Sequence, residues 1–151
     1  MQVVEALKAS ALFKGFTDTG LTIMAGIAAT KTYPQGVPLF AENMLADALI
    51  IVAEGSVHLS TKVKSGEEVG LGDLGPGDYL GELSLIQPGQ RMCTATAAAP
   101  VTTVEIPHAE FQKLLAAKPQ ACLKLLMGVV SLFGQKVADN KDNLKAALGK
   151  G

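Results

Sequence analysis

The chain contains few of the residues from which catalytic sites are usually built. It has no tryptophan, two histidines and two cysteines among 151 residues. His58 and His108 stand in unrelated stretches without a second histidine at metal-ligand spacing, which argues against a metal-dependent enzyme on a β-barrel. Neither Cys93 nor Cys122 has a histidine beside it in sequence, and no nucleophile elbow occurs, so a cysteine or serine hydrolase is not indicated. We predict no enzyme activity, no catalytic residue and no bound metal.

An excess of charge of either sign is also missing. Thirteen Lys and Arg residues stand against 14 Asp and Glu, for a formal net charge of −1. A nucleic-acid surface normally needs a basic face, so we expect no nucleic-acid partner. No signal peptide is indicated and no apolar run reaches transmembrane length, so we expect a cytoplasmic protein without a membrane partner. The sequence leaves a disulfide between Cys93 and Cys122 open, although reduced thiols are the simpler interpretation.

Apolar material is present in sufficient amount for one core. Hydrophobic residues make up 48% of the chain, which fits a single domain over residues 1–151. Residues 1–27 and 108–148 have apolar positions at helical spacing, whereas residues 28–106 alternate short β-prone runs with turn residues. About eight short strands at regular spacing predict a mainly β sandwich or jelly roll with flanking helices.

Local patterns give the expected boundaries of these elements. Thr17 is expected to cap the second helix, and Asn43 to adopt the left-handed conformation in a turn. The run ALIIVA, residues 48–53, is typical of a buried strand. The runs that we predict to be strands are 30–33, 37–40, 48–53, 56–64, 69–74, 91–98 and 101–106.

The densest polar chemistry lies in residues 77–97, GDYLGELSLIQPGQRMCTATA. Gly81, Glu82, Leu83 and Ser84 indicate a turn that opens a short helix, which leaves backbone N–H groups free at the positive end of the helix dipole. Arg91 adds a planar, permanently charged guanidinium. These groups predict a cradle for one phosphate. Glu82 would repel a phosphate, so it must face a hydrogen-bond donor such as a ribose hydroxyl.

This segment resembles the phosphate-binding cassette of cyclic nucleotide-binding domains, which occur in catabolite-activator-like regulators and in kinase regulatory subunits. The family pattern is roughly Gly-Glu-Leu-Ala, a short insert, then Pro-Arg-Ala-Ala-Thr, and the resemblance extends from about residue 12 to residue 137. It implies a double-stranded β-helix, or jelly-roll barrel, with N-terminal helices and a long C-terminal helix. It also implies that Glu82 holds the ribose 2′-hydroxyl and Arg91 the cyclic phosphate. Gln90 replaces the usual Pro, and Met92 a small residue.

The resemblance identifies a set of candidate site residues. The predicted ligand-binding residues are Gly81, Glu82, Leu83, Ser84, Arg91 and Met92. The residues assigned to the apolar lining are Leu71, Leu80, Cys93 and Thr94. The N–H groups of Ser84 and Met92 are expected to face the phosphate, and Met92 offers no hydroxyl for guanine, which favours cAMP over cGMP. The alternatives are that Arg91 stacks on the barrel surface or pairs with Glu82, and that Glu82 only complements the helix dipole.

The C-terminal stretch carries a second pattern, an apolar seam. Its positions alternate three and four apart, and they are Leu123, Leu126, Val130, Phe133, Val137, then Asn140 and Leu144. A heptad seam with one buried Asn is typical of two-stranded coiled coils, so it favours a homodimer through residues 120–148. The alternative is that the seam packs on the barrel of its own chain. Transcription-factor relatives carry a helix-turn-helix domain after this helix, and we expect none here.

Two functions fit these observations. The first is a non-catalytic sensor, in which a cyclic nucleotide, the only expected ligand, shifts the C-terminal helices and so signals to an unknown protein partner. The alternative is a ligand-free scaffold or dimerisation module that retains the fold.

Overall fold

The fold of the computed structural model, which describes residues 2–141, is the predicted jelly roll with flanking helices. Two four-stranded antiparallel sheets have the strand orders β1-β10-β4-β7 and β2-β9-β5-β6, and β3 pairs with β8. The strands are β1 Ala29–Tyr33, β2 Pro38–Phe40, β3 Leu45–Ala46, β4 Ala48–Glu54, β5 Val57–Lys62, β6 Glu68–Leu74, β7 Tyr79–Leu80, β8 Gly89–Gln90, β9 Thr94–Ala97 and β10 Val101–Pro107. The helices are α1 Val3–Lys8, α2 Asp18–Ala25, α3 His108–Ala117 and α4 Pro119–Asp139, with 3₁₀ helices at Ala11–Phe13 and Glu82–Leu85.

Strand β4 is the centre of the structure and confirms the predicted buried run. Successive side chains of a strand point to opposite faces. Leu49 and Ile51 therefore pack with the helices, while Ile50 and Val52 pack between the two sheets. Both faces are covered, which explains why the run is uniformly apolar instead of alternating.

Two turn residues have backbone conformations that their positions require. Asn43 has φ 72°, as the sequence predicts for the turn before β3. Gly55, between β4 and β5, has φ 88°, and a Cβ atom there would overlap the carbonyl oxygen of Pro100. Only glycine fits the second position, because both the left-handed backbone and the close approach exclude a side chain.

The helices at both ends cover one side of the barrel. The hydroxyl of Thr17 accepts a hydrogen bond from Gly20 N at 3.0 Å, which confirms the predicted cap of α2. Pro119 separates α3 from α4 as the first residue of α4, where its missing N–H is not needed. Cys122 is buried in the helical core, and both cysteines are free, so the disulfide that the sequence left open is absent.

Two predictions about strands need correction. Ten strands lie within residues 2–141 instead of about eight, because the two-residue strands β3, β7 and β8 are too short to show periodicity. The strand predicted over 91–98 is Thr94–Ala97. The backbone of Arg91 instead bridges to the preceding turn: its N–H donates to Met44 O at 2.7 Å, and its C=O accepts from Asn43 N at 2.8 Å.

Helix α4 does not pack through its predicted seam. Its fully or mostly buried residues are Cys122, Leu125 and Val129. Four of the predicted seam residues are instead exposed, by 45–71%, and they are Leu123, Val130, Phe133 and Val137. Of the predicted seam, only Leu126 packs in part on the core of its own chain, since a neighbouring face of the same helix provides the buried contacts. Asn140 lies exposed just after the helix end, and Leu144 falls outside the described residues.

By length and composition, α4 would also be apolar enough to cross a membrane, with a mean hydropathy of 1.4 over an 18-residue window. The sequence did not predict this property, because α4 contains no continuous apolar run of transmembrane length. The mostly buried core helix of a soluble protein meets the same criterion, but only 17% of this window is buried within the chain. The apolar content of α4 is thus divided between a face that packs on this chain and a face that does not.

Candidate functional site

A cavity of about 420 Å³ lies between the cassette and the barrel. Its wall combines the 3₁₀ helix Glu82–Leu85 with the turn that follows it and with residues of the neighbouring strands. The lining residues are Phe40, Ala46, Leu80, Gly81, Glu82, Leu83, Ser84, Gln87, Pro88, Gly89, Gln90, Arg91, Met92 and Cys93. All six predicted ligand-binding residues are thus brought to one cavity.

Gly81 sets the geometry of the cassette. Its backbone is left-handed, with φ 75° and ψ 29°, and it starts the 3₁₀ helix Glu82–Leu85. Leu85 is completely buried and anchors the helix in the core. The N–H of Ser84, which we expected to face the phosphate, donates to Gly81 O at 3.0 Å within this helix. The amides without a partner inside such a helix are the first ones, those of Glu82 and Leu83.

The guanidinium of Arg91 lies beneath Gly81, where Nη1 occupies the space that a Cβ atom would need. Arg91 is only 7% exposed. Its Cζ lies 4.4 Å from the centroid of the Phe40 ring, and Nη2 donates to Ala48 O at 3.2 Å. Within the described residues, Nε has no hydrogen-bond partner. An unpartnered, buried donor of this kind is costly, because it loses its hydrogen bonds to water and gains none from the protein.

Burial lowers the pKa of the Arg91 guanidinium, while the negative charges of Asp47 and Glu105 oppose that shift. The carboxylate of Glu105 is buried, and it accepts hydrogen bonds from groups other than Arg91. It accepts from Tyr33 OH at 2.9 Å and from Thr103 OH at 2.8 Å. Burial, together with Glu105, raises the pKa of Tyr33 to about 12, so the phenol remains a donor. Arg91 therefore has electrostatic support from a carboxylate that is already hydrogen-bonded elsewhere.

Glu82 contacts the last helix. Its Oε1 lies 3.9 Å from Lys136 Nζ, which also lies 4.8 Å from the centroid of the Tyr79 ring. Glu82 is partly exposed at the cavity mouth, so this ion pair is screened and weak. Arg91 and Glu82 do not form a surface ion pair with each other, because Arg91 is buried and Glu82 pairs with Lys136.

The cassette is held from behind by α3. His108 Nδ1 lies 2.9 Å from Leu85 O and 3.0 Å from Ser84 O, and Gln112 Nε2 donates to Leu85 O at 3.1 Å. The carbonyl groups at the end of the 3₁₀ helix are thus satisfied by side chains of α3. No local sequence pattern marks these two residues, because their partners lie more than twenty positions away.

Comparison with known proteins identifies the fold and the cassette together. The family described as "cyclic nucleotide-binding domain" matches residues 30–118, which is more than half of the chain. The chain belongs to the cyclic nucleotide-binding domain family. This confirms the resemblance on which the candidate residues were chosen.

Two relatives and one solved structure illustrate the similarity. The cyclic AMP receptor protein of Thermus thermophilus is 32% identical over 113 residues, which are 75% of this chain and 52% of that protein. A CRP-like cAMP-activated global transcriptional regulator of Mycobacterium tuberculosis is 29% identical over 122 residues, 81% of this chain and 54% of that protein. The N-terminal domain of a transcriptional regulator from Streptomyces coelicolor has a TM-score of 0.79 and 30% identity, and the match covers 87% of this chain and 94% of that one. The chain spans about half the length of these curated relatives.

In this cyclic nucleotide-binding domain, the predicted lining is only partly correct. Leu80 and Cys93 line the cavity, and burial raises the pKa of the Cys93 thiol, which keeps it neutral. Leu71 does not line it: this residue is 55% exposed on β6, an edge strand paired only with β5. Thr94 does not line it either, and its hydroxyl accepts from Glu42 N at 3.0 Å.

The large side chain of Met92 does not fill the cavity. The residue lines the cavity, but it is 89% exposed. Most of its side chain therefore lies in solvent and leaves the volume beside Arg91 open. Phe40, which the sequence analysis missed as a site residue, forms the apolar wall under the guanidinium. In the part of the chain that the structure describes, no three His, Cys, Asp or Glu residues are grouped to hold a metal ion.

Proposed function

We propose that this domain is a non-catalytic sensor that binds a cyclic nucleotide in the cavity lined by Arg91. The single observation that carries the proposal is that the almost fully buried Arg91 lines this cavity together with the start of the helix Glu82–Leu85. A cyclic phosphate supplies one negative charge and several acceptor atoms, which is what Arg91 lacks. The amides of Glu82 and Leu83 lie at the start of the same short helix and supply further donors.

The carboxylate of Glu82 complements the sugar in this proposal. A carboxylate accepts hydrogen bonds, and the ribose 2′-hydroxyl donates one. Leu80 and Leu83 provide apolar surface to the same cavity. We favour cAMP over cGMP because Met92 offers no hydroxyl to guanine. The relatives from Thermus thermophilus and Mycobacterium tuberculosis are likewise named for cAMP.

The experiment that tests this function is isothermal titration of cAMP and of cGMP into the whole chain. We expect saturable binding with one site per chain and tighter binding of cAMP. If neither nucleotide gives heat or a thermal shift at millimolar concentration, the alternative of a ligand-free scaffold or dimerisation module is favoured. Tighter binding of cGMP would retain the sensor and overturn the choice of base.

The contact between Lys136 and Glu82 supports coupling of the cavity to α4. The first half of α4 packs on the chain through Cys122, Leu125 and Val129, whereas the second half carries mainly exposed residues. Lys136, in that second half, reaches the same carboxylate that we assign to the ribose. A nucleotide that engages Glu82 would change the partner of Lys136 and so shift α4 between two arrangements.

Substituting Lys136 with methionine should uncouple α4 from the cavity. We expect K136M to bind cAMP within about 1 kcal/mol of the original chain, because exposed ion pairs contribute little. The nucleotide-dependent change in amide hydrogen exchange over residues 130–139 should be reduced. Lys113→Met is the matched control, since Lys113 pairs with Glu110 on the exposed face of α3. An undiminished exchange response in K136M would contradict the coupling.

We also propose that α4 mediates a homodimer. Its exposed residues Leu123, Met127, Val130, Phe133 and Val137 form an apolar stripe along the helix. A continuous exposed stripe with spacing of three and four is typical of a helix that packs on a second helix.

We infer no direct contact of this domain with nucleic acid or membrane, and a cytoplasmic location, from the near-neutral charge and the proposed ligand.

The dimer can be tested with one charge on this stripe. Val130→Glu should convert a dimer into a monomer, because two carboxylates would be buried opposite each other. Val130 is exposed within the chain, so the fold should be retained. Ser131→Glu, off the stripe on the same helix, is the control and should remain dimeric. Sedimentation equilibrium at tens of micromolar measures both, and an original chain that is monomeric there would rule out the dimer.

A further inference from the structure

A second cavity, of about 510 Å³, lies between α2 and the start of α4. It shares no lining residue with the cavity of Arg91. One wall is formed by residues 16–23, at the entry to α2 and along it, and the other by residues 118–124, where α3 passes into α4. Its volume is within the usual range of small-molecule sites. Neither the sequence analysis nor the proposed nucleotide site uses these residues.

The walls of this second cavity combine apolar surface with positive charge. Phe16, Ile23 and Pro119 contribute apolar side chains, and Lys118 and Lys124 contribute two cations. Among the residues that the structure describes, no acidic residue lines the cavity; Asp18 adjoins it in sequence but is not part of the lining. Within residues 2–141, neither lysine forms an ion pair with a carboxylate.

Lys124 is held in place at the edge of the aromatic wall. Its Nζ donates to Gly15 O at 2.5 Å and lies 5.4 Å from the centroid of the Phe16 ring. An ammonium group has three donors, so this arrangement leaves two of them for another acceptor. The backbone contact limits the freedom of a long side chain, which lowers the entropy lost when a ligand binds.

We propose that this second cavity binds a small organic anion with a flat apolar body. The apolar body would lie against Phe16, Ile23 and Pro119, and the anionic group would lie between Lys118 and Lys124. Charge complementarity carries the choice of ligand class, because the lining holds two cations and no acid. Such a ligand would contact the first turn of α4. The inference does not rest on the proposed nucleotide function, since the two cavities are separate.

The test uses 8-anilinonaphthalene-1-sulfonate, a fluorescent probe with an aromatic body and one negative charge. We expect saturable binding to the whole chain. The double variant Lys118→Met, Lys124→Met should lose about tenfold or more in affinity, because charge-assisted contacts to the sulfonate are removed. Lys113→Met, which removes one exposed charge outside the cavity, should stay within about twofold, as expected for a remote screened charge. Both lysines are at the surface, so the variants should fold, and circular dichroism verifies this.

Two further measurements locate the site and identify the class of ligand. Ala121→Trp fills the cavity without changing its charge and should also reduce the affinity for the probe. The uncharged N-phenyl-1-naphthylamine should bind at least about tenfold more weakly than the sulfonate if the lysines select an anion. Unchanged probe affinity in the double lysine variant, an equal loss in Lys113→Met, or equal binding of the uncharged compound would each overturn the proposal.

Discussion

Replacing Arg91 with alanine should weaken cyclic nucleotide binding by about 2–5 kcal/mol, which is the usual cost of removing one partner of a buried charge pair. Arg91 is the cation that lines the cavity, and it is almost fully buried. Without it, the phosphate would lie in a poorly solvated site with backbone amides as its main donors. Isothermal titration with cAMP measures the loss, which should appear as undetectable binding at micromolar ligand.

Two companion variants separate charge from geometry at this position. Arg91→Lys keeps the charge but not the planar fork, so its affinity should lie between those of the original chain and Arg91→Ala. Lys64→Ala removes an exposed charge outside the cavity and should bind nucleotide normally. If folded Arg91→Ala protein retains the original affinity, the assignment of the phosphate site is wrong.

Substituting Gly81 with alanine should affect both stability and binding. The left-handed backbone of Gly81 strains any residue with a side chain, which costs about 1 kcal/mol or more. The new Cβ would also overlap Arg91 Nη1 and lie 2.7 Å from Ala48 O, so the guanidinium must move. We therefore expect a lower melting temperature together with at least about a tenfold loss of nucleotide affinity, since a misplaced charge loses its contact with the phosphate.

The chain offers matched glycines that separate these two effects. Gly66 has φ 85°, and a Cβ atom added there would meet no other atom within 4 Å, so Gly66→Ala shows the backbone strain alone. Gly89 lies in the cassette with open space and no left-handed backbone, so Gly89→Ala should change little. If Gly81→Ala is destabilised only as much as Gly66→Ala and binds nucleotide normally, the close packing of Gly81 on Arg91 does not position the guanidinium.

The part of the candidate site that is formed by residues close together in the sequence could be predicted. Gly81, Glu82 and Arg91 lie within eleven consecutive positions. Their residue types indicate a tight turn, a carboxylate and a planar guanidinium, respectively. The sequence could not predict that Ser84 N–H is used inside the 3₁₀ helix, because that depends on how tightly the turn is wound. It also could not exclude Leu71, because exposure on an edge strand depends on the order of strands in the sheet.

The remaining site residues come from distant parts of the chain. Phe40 lies about fifty positions before Arg91, and Lys136 lies more than fifty positions after Glu82, yet each contacts that residue directly. His108 and Gln112 likewise hold the cassette from another helix. No local pattern marks such pairs, since each of these residues is compatible with its own strand or helix without the contact.

The sequence alone determined the order of the helices and of the longer strands, the buried strand β4, the left-handed turn at Asn43 and the residue types of the cassette, because each depends on neighbouring residues. Only the tertiary structure decided which face of α4 packs. Apolar residues cover two adjoining faces of that helix, so periodicity fitted either one. The shape of the surface that receives Cys122, Leu125 and Val129 selected one face and left the other exposed. The tertiary structure likewise left Arg91 buried beside an open cavity, because burial and partner choice depend on the whole packed chain.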